Sequence, residues 1–83
     1  MLEFKISKCK DKGAYSAKPL KNVKLDLDKA RKNFKIIQDA KIAVVIKDKC
    51  EIIIYEYGEL MFKKCSDMEY MENTAKKIYE SCA

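Results

Sequence analysis

The run CEIIIYEYGELMFKKC, from Cys50 to Cys65, sets two apolar arms on either side of a short turn. Two arms, Ile52 to Tyr55 and Leu60 to Phe62, are β-branched, aromatic or apolar, and Gly58 between them takes a positive φ without steric cost. The pattern predicts a β-hairpin with Glu56, Tyr57 and Gly58 as its loop, so that Tyr55 faces Glu59, Ile54 faces Leu60 and Ile52 faces Phe62. One face then carries Ile52, Ile54, Leu60 and Phe62. The other carries Ile53, Tyr55 and Met61, flanked by Glu51, Glu59 and Lys63. A sheet with one wet face alternates more cleanly than this, so the second face is expected to meet another helix, another chain or a ligand.

The stretch from Lys41 to Lys47 is apolar on both parities and reads as a central strand. A turn at Asp48, Lys49 and Cys50 sets Lys47 beside Glu51. Ile42, Val44 and Ile46 then join the face of Ile52, and Ala43 and Val45 extend the second face. Near the N-terminus Leu2, Phe4 and Ile6 alternate with Glu3, Lys5 and Ser7 as a half-buried strand. The pattern then breaks up, with Gly13, Pro19 and Asn22 among lysines, and residues 10–24 read as a long loop with a short extended piece near Ala14 and Tyr15.

Two stretches have helical spacing. Asp26 and Asp28 supply a cap and first-turn charge, and Leu27, Ala30, Phe34 and Ile37 recur on one stripe, opposite Lys29, Arg31, Lys32 and Lys35. Ser66 with Glu69 forms a capping box, followed by a stripe of Met68, Met71, Ala75, Ile78 and Cys82. The order β-α-β-β-β-α predicts one α+β domain over residues 1–83. Its architecture is a two-layer sandwich, with an antiparallel sheet of about four strands and two helices on one face. Ile52, Ile54, Leu60 and Phe62 are expected beneath the helices with Phe34 and Met71.

Composition narrows the chemistry. The 83 residues hold a modest core, too small to enclose a large cofactor, and no cofactor is expected. No run of about 18 apolar residues exists, which excludes a helical membrane span, and the charged N-terminus is not that of a signal peptide. Cys9, Cys50, Cys65 and Cys82 are dispersed and the chain has no histidine. Close ligand pairs mark structural zinc, so no metal is expected, and the four thiols read as reduced in a cytoplasmic protein. The net charge of +5 lies in the N-terminal half, where residues 1–41 hold 12 Lys and Arg against 5 Asp and Glu. Only Arg31 is arginine. A lysine surface without bidentate forks favours non-specific contact with polyanions.

Lys24-Leu25-Asp26-Leu27 at the first helix start, the strand and turn from Ile53 to Met61, Ser66, and Ala75-Lys76-Lys77-Ile78 together resemble one repeat of the TATA-binding protein family. The resemblance implies a sheet whose free face meets the DNA minor groove and inserts aromatic wedges between base steps, with Tyr55 at one wedge position. A single repeat would have to dimerise to form the family's saddle.

Three functions fit these features. The first is a non-catalytic interaction domain that uses the second sheet face for homodimerisation or protein docking. Another is a nucleic-acid-binding or transcription-associated module using Val45, Ile53, Tyr55 and Met61 with Lys5 and Lys63 beside them. A thiol-dependent enzyme would have Cys65 as its reactive thiol, activated by Lys63, Lys64 and the following helix start.

Overall fold

The computed structural model describes residues 3–8 and 14–82. Leu2, Cys9, Lys10, Lys12 and Gly13 lie outside the described residues. Eight elements follow one another: β1 (Phe4–Lys8), β2 (Tyr15–Pro19), α1 (Leu27–Asn33), β3 (Ile36–Asp39), β4 (Ala43–Lys47), β5 (Glu51–Tyr55), β6 (Leu60–Lys63) and α2 (Met68–Cys82). The strands form one antiparallel sheet in the order β1-β2-β6-β5-β4-β3. A hairpin and a four-strand meander are thus joined where β2 meets β6.

The hairpin register is the one that a loop of Glu56, Tyr57 and Gly58 predicts. Ile52 pairs with Phe62, Ile54 with Leu60 and Lys47 with Glu51. Tyr55 N–H donates to the Glu59 carbonyl at 2.9 Å, and Gly58 turns the loop at φ +111°. Val44, Ile46, Ile52, Ile54, Leu60 and Phe62 are all buried on one face. They share a single core with Leu27 and Ala30 of α1 and Met71, Ala75, Ile78, Tyr79 and Cys82 of α2, and Phe34 packs half-buried against it. Both helices therefore cover the same side of the sheet.

The structure corrects the sequence reading in five places. Six strands replace the expected four, because Tyr15–Pro19 pairs with both β1 and β6 in the stretch read as a loop. Ala17 marks this strand as part of the core, since it is fully buried beside Leu60 with its carbonyl 3.3 Å from the Tyr79 hydroxyl of α2. Helix α1 ends at Asn33, and Phe34 takes an extended conformation. The β-branched pair Ile36 and Ile37 then continues as an edge strand, held to β4 with a bulge at Ile37, which is 46% exposed. Ile42 precedes β4 and is 62% exposed instead of inside. Met68 likewise lies at the exposed start of α2, and the buried place on that helix goes to Tyr79. Finally, the α2 cap is Asp67, whose carboxylate accepts from Tyr70 N–H at 3.1 Å, one residue beyond Ser66.

Two ties close the molecule around the missed core residue Leu25. Leu25 N–H donates to the Glu56 carbonyl and Asp26 N–H to the Cys82 carbonyl, both at 2.8 Å. The segment after β2 is thereby strapped between the β5–β6 loop and the end of α2. Asp26 also caps α1, its side chain accepting from Asp28 N–H at 2.9 Å.

Candidate functional site

No helix among the described residues covers the other side of the sheet, whose residues follow from strand parity. Val45, Ile53, Met61, Ser16 and Ser7 stand side by side across β4, β5, β6, β2 and β1. Val45, Ile53 and Met61 are half-buried, and Ser16, only 8% exposed, continues the row. One step toward the β5–β6 loop lie Ala43, Tyr55, Glu59, Lys18 and Lys5, with Ala43 paired to Tyr55 and Lys18 to Lys5. One step the other way lie Lys47, Glu51 and Lys63, paired in that order. The structure therefore brings Val45, Ile53, Tyr55, Met61, Lys5 and Lys63 onto one face.

Tyr57 is the aromatic that periodicity passed over. Its ring stacks on Tyr55 with centroids 5.2 Å apart and a 30° interplanar angle, although it is 62% exposed. Desolvation pushes its phenol up, and the charge of Glu59 adds to this. Tyr57 also lines a cavity of about 580 Å³ with Val23, Ile42 and Glu56. Exposed Ile42 and Tyr57 thus extend the apolar surface past the end of the sheet. The loop position of Tyr57 hides this in the sequence, because a two-residue period says nothing of where a loop side chain leans.

Cys65 does not stand there as a free thiol. It is joined to Cys50 by a disulfide with Cα atoms 5.8 Å apart, which corrects the expectation of four reduced cysteines at this pair. The predicted register sets residue 50 across from residue 64, so Cys65 falls one position too far along. Lys64 has φ +54°, and this left-handed residue turns the chain to bring Cys65 to Cys50. In the bonded form Cys65 has no thiolate to activate, whatever its neighbours. Cys82 is a free thiol, but it is 1% exposed and burial pushes its ionisation up, with Asp26 adding and Lys29 opposing.

The remaining charged chemistry is structural. Arg31 forks onto both Asp39 carboxylate oxygens at 2.8 Å and reaches Asp28 at 2.6 Å, tying α1 to edge strand β3. The guanidinium holds the Asp39 carboxyl below its ordinary range. Tyr70 OH donates to Asp48 at 2.7 Å and accepts from Lys49 N–H at 3.2 Å, which fixes the β4–β5 turn on α2. Among the described residues no group of three His, Cys, Asp or Glu could hold a metal ion. No helix among them is long and apolar enough to cross a membrane. No protein family, curated protein or solved structure matches the chain.

Proposed function

We propose that the chain is a small non-catalytic interaction domain whose open sheet face seats a protein partner, either a second copy or another protein. One observation carries this reading. The apolar row Val45, Ile53 and Met61, with Tyr55 beside it, is continuous across three paired strands while both helices pack on the opposite side. Apolar side chains framed by charge form the composition of an interface core with a polar rim.

A second reading takes the same face to nucleic acid, as the resemblance to one TATA-binding-protein repeat implies. Lys5, Lys18 and Lys63 stand on the face with stacked Tyr55 and Tyr57, and basic groups beside aromatics suit a strand of phosphates and bases. Glu51 and Glu59 on the same face oppose it, since each would repel the backbone.

Tyr55→Glu tests both readings and salt separates them, because the substitution charges the face and leaves the core untouched. We expect an unchanged far-UV spectrum and a solution mass that falls to that of the monomer, with an association that salt weakens little. Nucleic-acid binding that falls steeply with salt, and is lost in the same variant, would favour the second reading. An association indifferent to Tyr55→Glu would remove the face from both.

A further inference from the structure

Resting on the interaction-face reading, we infer that the partner is a second copy of this chain. The two copies pack face to face about a two-fold axis that crosses the strands at Ile53, so that Lys63 of each meets Glu59 of the other. The charge pattern of the face and the state of the sheet edges point to a second copy. The molecule extends 29 × 27 × 20 Å, and its thin dimension accommodates one sheet and one helix layer. The sheet edges are poor alternatives, since β1 carries Lys5 and Lys8 while β3 is short, bulged at Ile37 and occupied at Asp39 by Arg31.

The charge pattern then selects the axis. Crossing the strands at Ile53, the two-fold lays each strand over its own copy in reverse. Val45, Ile53 and Met61, which share one level by register, fall on themselves, apolar on apolar. The Lys63 level falls on the Glu59 level, so opposite charges meet twice on β6, while Glu51 meets Tyr55 and Lys47 meets Ala43. Among the described residues no like charges coincide. An axis running along β5 instead puts Glu51 on Glu51 and Lys47 on Lys63. An axis running between β5 and β6 matches Glu51 with Lys63 but sets Val45 over Ser16 and moves the centre off the apolar patch. Packed sheets rotate by about 30° against each other, which moves these pairs by roughly one strand spacing, a shift that the long Lys63 and Glu59 side chains span.

Sedimentation of wild type and charge variants tests the arrangement. Lys63→Glu and Glu59→Lys should each raise the dimer dissociation constant at least about tenfold, because each sets like charges together across the interface. The double variant Glu59→Lys with Lys63→Glu should restore the dimer, and that recovery also shows that neither change unfolds the chain. Glu51→Lys with Lys63→Glu should not restore it. A dimer dispersed by Tyr55→Glu but not recovered by the Glu59 and Lys63 exchange would overturn this geometry and leave the face as the interaction surface. Recovery by the Glu51 and Lys63 exchange would overturn it in favour of the axis between β5 and β6. A wild type that stays monomeric at all concentrations would overturn the second copy as partner. Association indifferent to every one of these changes would overturn the geometry and the interaction-face reading together.

Discussion

Gly58 sits at φ +111° with the Val23 carbonyl oxygen 2.6 Å from where a Cβ would stand and Pro19 at 3.2 Å. Both the turn and the close approach of the strap after β2 require a residue without a side chain. Gly58→Ala should therefore cost roughly 1–3 kcal/mol, read in denaturant melts, whereas a loss below half a kcal/mol would show that the strap yields easily. The same loop is held from beneath by Tyr79, whose hydroxyl donates to the Gly58 carbonyl at 2.6 Å and lies 3.3 Å from that of Ala17. Removing the hydroxyl in Tyr79→Phe takes the donor from the Gly58 carbonyl, and a loss of about 1–3 kcal/mol is expected. Burial drives the Tyr79 phenol well above the ordinary tyrosine range. A raised folded-state value means that the unfolded chain loses its proton first. Stability is thus fully present below about pH 10 and falls as pH rises beyond it. Alkaline melts should show that fall in wild type and a shallower one in Tyr79→Phe.

At the scale of elements, the β5–β6 hairpin is the most strongly determined part of the chain, and its open end is closed by the Cys50–Cys65 disulfide. That bond spans a sequence separation of 15 and joins the β4–β5 turn to the link that leads into α2. A closed loop of that length is stabilised by about 2–3 kcal/mol through the entropy removed from the unfolded chain. Reductant should lower the melting temperature of wild type by roughly 10 °C and leave that of the Cys50→Ala, Cys65→Ala double variant unchanged. An equal shift in both would show that the bond contributes nothing. Helix α1 depends on a different tie. It has seven residues, too few for independent stability, and the Arg31 fork to Asp39 fixes it to β3 beside the burial of Leu27 and Ala30.

For the whole molecule, the distribution of apolar surface is the consequence of placing two helices on one side of a six-stranded sheet. The core face receives Phe62, Ile52, Tyr79 and Met71, each at most 2% exposed. The other face receives the same kinds of residue, and no helix among the described residues lies over them. Association through that face should bury apolar side chains and so persist in salt, while its register should depend on the charges of Glu59 and Lys63. Affinity and geometry therefore have separable readouts, the first in Tyr55→Glu and the second in the charge exchange.

Local chemistry alone determined the pairing of β4, β5 and β6 and the identity of the two faces. Gly58 fixes a three-residue loop, and that loop sets the register that puts Ile52, Ile54, Leu60 and Phe62 on one face. Helix α2 was equally legible, because its stripe repeats over four turns. Where the signal was short or its partner distant in sequence, only the tertiary structure decided. Tyr15–Pro19 carries Lys18, Ser16 and Pro19 and looks like a loop until β1 and β6 supply hydrogen bonds on both of its edges. The end of α1 at Asn33 is set by the pairing of Ile36 with Ile46, which outweighs a helical spacing that would have continued to Ile37. The disulfide needed the left-handed turn at Lys64, a backbone choice that residue type does not announce. The six residues Val45, Ile53, Tyr55, Met61, Lys5 and Lys63 were legible as a group because parity places side chains on a face. The stacking of Tyr57 was not, since a loop side chain is positioned by whatever it packs against.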